Sequence, residues 1–262
     1  MEIFVCLRQT PIIKGEPKIQ MDRKSLDLSG LNRHMNEWDT YALEEALQMV
    51  QKHGGNVTVV SLGPKETEDV LLHGLAAGAA KAIHIVTSDQ QSIDNWTISN
   101  VLNHFINKQP FDLILTGVQA EDDGCAEIGP TLAYLLEIPH GSMVVRTEYE
   151  PDQNEMKVIR ELEGGYKDSL RLKLPALLTV QTGINQPRYV STMRLRRFKK
   201  EATITKLSFS DIASEIKALS PRVEILEFFP YKPEASQVQW LKGEPVAVAD
   251  QLFERLRAKG VL

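Results

Sequence analysis

Residues 56–86 read NVTVVSLGPKETEDVLLHGLAAGAAKAIHIV, and this stretch decides the fold class of the chain. Its first part, 56–62, is apolar and β-branched, which predicts a strand that ends at Gly63-Pro64. Apolar residues then recur at helical spacing over about 65–79, which predicts a helix. A second apolar run at 82–86 predicts another strand. A strand, a helix and a strand in this order are typical of a parallel β-α-β unit.

The same alternation continues on both sides of this unit. Strands are predicted at 2–7 and 111–117. Helices are predicted over 41–53, with Thr40 as the N-cap, and over 92–108 and 125–137. Apolar strands that alternate with helices predict an α/β fold, with a mostly parallel, doubly wound sheet covered on both faces. Ligands of such sheets bind beyond the carboxyl ends of the strands, so the loops that follow these strands are the candidate sites.

The pattern changes after about residue 143. Four strand-like runs follow, at 142–150, 155–163, 168–174 and 176–182. Turn signals such as Pro151-Asp152 and Gly164-Gly165 separate them. These runs predict a mixed or antiparallel extension of the same sheet.

The C-terminal part carries two further features. Residues 184–200 have the pattern of neither a strand nor a helix, and the run from Arg188 to Lys200 is strongly basic. An amphipathic helix is predicted over about 245–259. Its apolar side consists of Val248, Leu252, Leu256 and Val261.

Composition excludes several classes of protein. The net charge of −5 argues against a nucleic-acid-binding protein, because basic residues are concentrated in one short segment only. No apolar run approaches the roughly 20 residues that cross a bilayer, and the N-terminus lacks the features of a signal peptide. Cys6 and Cys125 belong to no CxxC pair, which argues against a zinc site or a disulfide framework. A cytoplasmic protein without a metal is the expectation.

The richest candidate for a binding site is the loop GVQAEDDGCAEIGP, residues 117–130. It follows an apolar strand and leads into a helix, where unpaired backbone N–H groups suit a phosphate. Asp122 and Asp123 would repel a phosphate, so we expect them to cap the helix or to accept hydrogen bonds from ribose hydroxyls. The alternative is a capped helix after an ordinary surface loop. The loop is neither a P-loop nor a GxGxxG motif.

Two other segments lie where a ligand is expected. One is MNEWDTYALEEA, residues 35–46, in which Asn36 and Asp39 lie at the predicted start of a helix. The other is SLGP, residues 61–64, at the end of a strand. Local helix capping and a simple turn are the alternatives for them. No nucleophile elbow, metal-ligand spacing or pair of acid–base carboxylates is present in the sequence, which argues against a self-contained enzyme.

Taken together, these segments resemble the beta subunit of electron transfer flavoproteins, and the resemblance runs nearly from end to end. VCLRQTP resembles the first strand of that family with its basic residue, here Arg8, and NEWDTYALEEAL resembles its Asn-x-x-Asp-x-x-Ala-x-Glu-Glu-Ala helix. SLGP, GLAAGAAKAIHI and the loop above are similar to its nucleotide-binding segments. The most specific segment is VIRELEGGYKDSLRLKLPALLTVQTGINQPRY, which contains the Gly-Gly hairpin, LPA and NxPRY.

The resemblance implies a fold like that of the adenine nucleotide alpha-hydrolases and a heterodimer with an alpha subunit. The alpha subunit would hold most of an FAD, and this chain would hold an AMP or, in the electron-bifurcating type that uses NADH, a second FAD. By position, the nucleotide contacts that the resemblance implies are Cys6, Asn36, Glu37, Trp38, Asp39, Leu62, Gln119, Ala120, Asp122, Asp123, Gly124, Cys125, Ala126, Glu127, Ile128, Gly129 and Pro130.

The loop departs from both types of the family. Bifurcating members read Asp-Gly-Asp-Thr-Ala-Gln-Val-Gly-Pro, whereas here Asp123 and Gly124 exchange the order of Gly and Asp, and Glu127 replaces Gln. The paired Asp residues resemble the AMP type and the Gly129-Pro130 ending resembles the other. We expect AMP, and the carboxylate of Glu127 would disfavour a nearby phosphate.

The resemblance also implies partners. The electron donor would be an acyl-CoA dehydrogenase or a related flavin dehydrogenase of fatty acid oxidation, and the acceptor a quinone-linked oxidoreductase. The family inserts a leucine into its dehydrogenase, and Thr192 occupies that position here, so Met193 or Leu195 is the expected anchor. The expected partner-recognition residues are Thr192, Met193, Arg194, Leu195, Arg196, Arg197, Lys199 and Lys200.

These features predict three regions: an α/β nucleotide-binding domain over 1–183, a partner-recognition loop over 184–204, and a C-terminal segment over 205–262 that packs on the alpha subunit. The alternative for the terminal helix is that it covers this chain's own sheet. A stand-alone AMP- or ATP-binding sensor without flavin is the rival function, but such a sensor would not need residues 143–262.

Overall fold

The computed structural model of the chain describes residues 1–88, 93–217, 219–230 and 238–261. The strands of these ranges are β1 (Glu2–Cys6), β2 (Gln9–Pro11), β3 (Arg33–Met35), β4 (Asn56–Gly63), β5 (Lys81–Val86), β6 (Leu113–Gly117), β7 (His140–Glu150), β8 (Glu155–Glu161), β9 (Lys167–Lys173), β10 (Ala176–Val180) and β11 (Thr205–Ser208). The α-helices are α1 (Glu37–His53), α2 (Glu68–Ala77), α3 (Asn95–Ile106), α4 (Ile128–Leu135), α5 (Thr192–Glu201), α6 (Phe209–Glu215) and α7 (Pro245–Ala258).

The strands form a nine-stranded sheet in the order β11-β5-β4-β1-β6-β10-β7-β8-β9. The seven strands from β11 to β7 pair in parallel, which confirms the predicted α/β fold. The strands of the central part are buried from end to end because helices lie on both faces of the sheet. β4 and β6 flank β1, so the chain leaves β1 towards one side of the sheet and later returns on the other.

Three of the four predicted runs form an antiparallel extension, whereas the fourth forms β10, which pairs in parallel with β6 and β7. β8 pairs antiparallel with both β7 and β9, and β7 joins the extension to the parallel part by pairing with β10. Val144, Met156 and Val158 alternate with exposed or half-buried residues and are fully buried. The extension therefore buries one face and leaves the other open to solvent.

Two hydrophobic cores lie on the two faces of the sheet. One contains the apolar residues of α1 and α2 and the buried face of the extension. The other contains those of α3, α4 and α6. The helices α1, α2, α3 and α4 pack apolar residues at helical spacing against the sheet, which is why these four helices could be predicted from the sequence.

Four helix starts differ from the prediction. α2 begins at Glu68 and α3 at Asn95, each about three residues later than predicted. α1 begins at Glu37 with Asn36 as its N-cap, so the predicted N-cap Thr40 lies inside the helix. The earlier start is stabilised from outside the segment, because the N–H of Glu37 donates to Glu121 Oε1 over 3.1 Å. α4 begins at Ile128, three residues later than predicted, because Ala126 has a φ of +56° that a helix does not tolerate.

The segment predicted to be a loop contains a helix. α5 spans Thr192–Glu201, and the Ser191 hydroxyl caps it by accepting from the N–H of Arg194. It packs against α2, where Lys199 forms a 2.8 Å ion pair with Asp69. The prediction failed because the six basic residues of this run hide the apolar positions Leu195 and Phe198, which are half-buried. The strand β11 and the helix α6 were not predicted either.

The C-terminal arm, defined here as 219–230 and 238–261, adds no residue to either hydrophobic core apart from Leu219, which packs against the second core. None of the residues of α7 is buried, so the alternative that it covers this chain's own sheet is wrong. Val248 and Leu256 are half-buried, whereas Leu252 and Val261 are exposed. Part of the connector before α7, residues 231–237, lies outside the described residues. No helix of the described ranges is long and apolar enough to cross a membrane.

Candidate functional site

A cavity of about 230 Å³ lies at the carboxyl ends of β1, β4 and β6. This is where a doubly wound sheet is expected to bind a ligand, because the strand order switches direction there. Of the predicted site residues, twelve line the cavity: Cys6, Asn36, Asp39, Leu62, Gln119, Ala120, Asp122, Asp123, Ala126, Glu127, Ile128 and Gly129. The other five, Glu37, Trp38, Gly124, Cys125 and Pro130, do not line it.

The side chain of Asp39 in α1 forms hydrogen bonds with the ends of the neighbouring strands β1 and β6. Its carboxylate accepts the backbone N–H of Arg8 over 2.6 Å and that of Gly117 over 3.0 Å. A Cβ on Gly117 would lie 2.5 Å from Asp39 Oδ1, so only glycine permits this contact. Asp39 is 5% exposed, and burial raises the pKa of its carboxyl to about 7, opposed by the hydrogen bonds from Arg8 and Gly117.

Asn36 binds the loop that follows β6. Its Nδ2 donates to the carbonyl of Gln119 over 2.8 Å, and its Oδ1 accepts the N–H of Glu121 over 3.1 Å. The carboxylate of Glu121 lies in turn at the N-terminus of α1, where the helix dipole favours a negative charge, and contacts His34 Nε2 at 2.6 Å. The side chain of Asn36, which was predicted to contact the nucleotide, therefore holds the loop in place.

Trp38 turns away from the cavity. Its indole N–H donates to Gln181 Oε1 over 2.9 Å, which ties α1 to the end of β10. Cys6, in contrast, lines the cavity as a buried free thiol. Burial, followed by the neighbouring Asp39 carboxylate, raises the pKa of the Cys6 thiol to about 12, so it stays protonated and unreactive.

Asp122 and Asp123 do not cap α4, contrary to one of the two expectations. Each contributes an oxygen to the guanidinium of Arg8: Nη2 lies 2.8 Å from Asp122 Oδ2, and Nη1 lies 2.8 Å from Asp123 Oδ2. Asn95 at the start of α3 donates to Asp123 and Glu127 over 3.3 and 3.4 Å. The acidic loop is thus held between the end of β1 and the start of α3.

The N-terminus of α4 is left open towards the cavity. Its N-cap residue, Glu127, makes no side-chain capping hydrogen bond. The helix approaches the sheet closely at Gly129, where a Cβ would lie 2.4 Å from Thr179 Cγ2 and 2.9 Å from Thr116 Oγ1. Backbone N–H groups at such a position suit an anion.

Sequence reasoning left several lining residues out of the predicted site. Arg8, Gln9 and Asn95 all line the cavity. Gln9 Oε1 is buried and has no hydrogen-bond partner among the described residues. Arg8 and Gln9 could have been predicted to line the cavity, because they directly follow the first strand and the carboxyl ends of parallel strands meet at one edge of the sheet. Asn95 carries no such signal, since only the packing of α3 beside α4 brings it to the cavity.

The segment before α5 is anchored to α1. The guanidinium of Arg188 binds both carboxylate oxygens of Glu44, over 2.7 and 3.0 Å, and Asn185 donates to Glu45 Oε2 over 2.9 Å. Burial alone would raise the pKa of Glu44, but the hydrogen bonds from Arg188 and Gln48 hold it below its usual value. This anchor determines where α5 lies.

The predicted partner-recognition residues all lie on α5, and none of them lines the cavity. Met193 is 82% exposed, whereas Leu195 is half-buried. The remaining predicted residues, Thr192, Arg194, Arg196, Arg197, Lys199 and Lys200, are exposed. α5 therefore presents one apolar side chain surrounded by five cationic side chains.

Comparisons with known proteins agree with this architecture. The model of the electron transfer flavoprotein domain matches residues 25–212. The chain is 34% identical over 261 residues to the electron transfer flavoprotein subunit beta of Bacillus subtilis (strain 168), covering 99% of this chain and 98% of that protein. It is 31% identical to the subunit of the same name from Methylophilus methylotrophus, covering 98% and 99%, and 32% identical to that of Homo sapiens, covering 77% and 79%. The chain belongs to the electron transfer flavoprotein family, among the beta subunits.

Proposed function

We propose that this chain is the beta subunit of a heterodimer that carries electrons by means of a bound FAD. Family membership supports a carrier subunit with an alpha subunit as its partner. The exposed apolar side chains of the C-terminal arm support a surface that the alpha subunit covers. When bound, FAD accepts and donates electrons, and the residues around it hold and orient it. In this proposal the shared FAD lies mainly on the alpha subunit, as the resemblance to the family implies.

The cavity itself takes an AMP in this proposal, and its size is the observation that carries this assignment. Its volume of about 230 Å³ is smaller than the roughly 300–1,000 Å³ of pockets for larger ligands. A mononucleotide therefore suits it better than a dinucleotide such as a second FAD.

Two features of the cavity fit an adenine nucleotide. The uncapped N-terminus of α4 offers N–H groups of Ile128 and Gly129 to an anion. Gln9 Oε1, which lacks a partner among the described residues, is an acceptor for the donor groups of a base. Leu62, Ile98 and Leu102 supply the apolar part of the lining.

The nucleotide content of the purified heterodimer tests the assignment. We expect one FAD and one AMP per heterodimer, measured by absorbance and by chromatography after denaturation. Two FAD and no AMP would overturn the AMP assignment and favour the electron-bifurcating alternative, which the Gly129-Pro130 ending of the loop resembles. A folded heterodimer without any nucleotide would contradict the proposed function as a whole.

We further propose that α5 docks on the electron donor, an acyl-CoA dehydrogenase or a related flavin dehydrogenase, and that a quinone-linked oxidoreductase in the same compartment accepts the electrons. The arrangement of α5 supports this docking role. Met193 is the exposed apolar group, and the surrounding cationic side chains would speed the encounter with an acidic partner. The reduced thiols Cys6 and Cys125 fit a cytoplasmic location.

Replacing Met193 and Leu195 with alanine is expected to slow reduction of the FAD by the partner dehydrogenase. The expected loss is about tenfold in the second-order rate constant, the effect of removing one interface anchor of roughly 1.4 kcal/mol. Stopped-flow absorbance of the heterodimer mixed with the reduced dehydrogenase measures it. Met21→Ala is the matched control, because Met21 is fully exposed on another part of the surface. Equal rates in the variant and the control would contradict docking through α5.

A further inference from the structure

Three elements meet at the mouth of the cavity through charged side chains. Arg8 follows β1, Asp122 and Asp123 belong to the loop before α4, and Asn95 begins α3. Both terminal nitrogens of Arg8 bind carboxylate oxygens at 2.8 Å. We call the contact of Arg8 with Asp122 and Asp123 the Arg8 latch.

In the Arg8 latch, the carboxylates occupy the N–H groups of Arg8 that would otherwise bind a phosphate. A guanidinium binds carboxylates and phosphates with the same paired N–H donors. The side chains of Arg8, Asp122 and Asp123 are 28%, 21% and 26% exposed, so the contact is reachable from the cavity mouth and only partly screened by solvent. A phosphate that binds Arg8 must therefore displace two carboxylates.

The residues that line the cavity carry more negative than positive charges, which disfavours a phosphate. Arg8 and Arg33 are the cations among the described residues that line the cavity, against Asp39, Asp122, Asp123 and Glu127. Asp39 accepts hydrogen bonds from two backbone N–H groups. The side-chain amide of Asn95 donates to both Asp123 and Glu127. Each further phosphate on a ligand would add negative charge at a mouth that is already acidic.

We propose that Asp122 and Asp123 are specificity-determining residues that compete with phosphate for Arg8 and so restrict the cavity to nucleotides with few phosphates. The nucleotide's phosphate opens the latch, and the released carboxylates disfavour a second or third phosphate. The site thereby selects a nucleoside monophosphate over a diphosphate or triphosphate. This inference rests on the proposed function that the cavity takes an adenine nucleotide.

The competing role for the two carboxylates is direct binding of ribose hydroxyls. The two roles predict opposite effects of the isosteric double variant Asp122→Asn/Asp123→Asn. If the carboxylates compete with phosphate, the double variant binds ligands with phosphate more tightly and binds adenosine with unchanged affinity. If the carboxylates bind the ribose hydroxyls, the double variant binds both adenosine and AMP more weakly.

The experiment measures the affinities of adenosine, AMP, ADP and ATP for the heterodimer after its bound nucleotide is removed, by isothermal titration calorimetry. We expect the double variant to bind AMP about tenfold more tightly, as two partly exposed ion pairs imply, and adenosine as the natural chain does. The gain should be larger for ATP than for AMP. The control variant Asp152→Asn/Glu163→Gln removes two carboxylates from exposed turns. We expect it to leave the affinities of all four ligands unchanged.

Two results overturn the inference. One is a parallel loss of adenosine and AMP affinity in the double variant. The other is an unchanged preference among the phosphates in the double variant, combined with loss of AMP binding in Arg33→Gln, which would assign the phosphate to Arg33 instead.

A second measurement separates failure of the latch from failure of the proposed function. Without any nucleotide, hydrogen exchange of residues 119–127 should be faster in Arg8→Gln and in the double variant than in the natural chain, because the latch holds the loop. Unchanged exchange overturns the latch whatever the ligand is. Faster exchange in a heterodimer that binds no adenine nucleotide supports the latch and contradicts the AMP site.

Discussion

Replacing Asp39 with alanine is expected to lower the free energy of unfolding by about 3 kcal/mol at pH 6, since each buried donor left without a partner costs roughly 1–3 kcal/mol. The donors are the N–H groups of Arg8 and Gly117, at the ends of β1 and β6. Their loss loosens the two strand ends that form the floor of the cavity. Urea unfolding followed by circular dichroism measures the change.

Asp152→Ala is the control, because Asp152 is exposed in a turn and such positions change stability by less than about 0.5 kcal/mol. A loss below 1 kcal/mol for Asp39→Ala would contradict the role of its carboxylate as the link between the two strands. Nucleotide affinity should fall together with stability, because the loop after β6 shapes the cavity.

The pH dependence of stability is a separate test of Asp39. Burial raises the pKa of its carboxyl to about 7 in the folded chain, whereas an unfolded chain releases this proton near pH 4. Between these values the folded state holds the extra proton, so the free energy of unfolding falls as the pH rises from 4 to 7. The integrated change attributable to Asp39 is about 4 kcal/mol.

Asp39→Asn removes this contribution, because the amide does not titrate. The difference in unfolding free energy between the natural chain and Asp39→Asn should therefore shrink steadily from pH 4 to pH 7. A difference that stays constant over this range would show that Asp39 keeps an ordinary pKa in the folded chain.

Replacing Leu252 and Phe253 of α7 with aspartate is expected to weaken binding of the alpha subunit at least about 100-fold, the effect of losing interface anchors worth roughly 3 kcal/mol. The side chains are 48% and 52% exposed, so the substitutions should leave the melting temperature of the isolated chain unchanged. The arm exposes two further large apolar side chains, Trp240 and Val246, at 83% and 75% exposure. Large apolar side chains exposed on one segment are typical of a surface that a partner covers.

Biolayer interferometry with the immobilised alpha subunit measures the affinity. Gln251→Asp is the matched control, since it adds a charge to an exposed position of the same helix without removing an apolar group. Equal affinities of the natural chain and the Leu252→Asp/Phe253→Asp variant would show that the alpha subunit binds elsewhere.

The arm also touches the rim of the cavity. The backbone N–H groups of Arg222 and Val223 donate to Asp94 Oδ2 over 2.6 and 3.2 Å, directly before Asn95. The N–H of Phe228 donates to the carbonyl of Arg23 over 2.7 Å. The part of the arm at Arg222 and Val223 therefore lies beside the proposed nucleotide site.

Local pattern was sufficient to locate six of the seven parallel strands, β1, β4, β5, β6, β7 and β10, and the helices α1 to α4 between them. The run 56–86 forms β4, α2 and β5 in the predicted order, because apolar spacing reports directly which side of an element is buried. The helix α5 was not predicted, because its sequence shows little of this apolar spacing. Its buried side consists of two half-buried residues within a run of charges, and its position depends on the distant pair Arg188–Glu44.

The sequence by itself determined the α/β class, the antiparallel extension and the loops that surround the cavity, because strand order along the chain and periodic burial are local properties. Only the tertiary structure decided what the individual polar side chains do. Asn36 and Asp39 bind backbone groups of distant segments, and Asp122 and Asp123 bind Arg8, 114 and 115 positions away along the chain. A hydrogen bond depends on distance and direction in space, and spacing along the chain does not contain either for segments joined through a folded core.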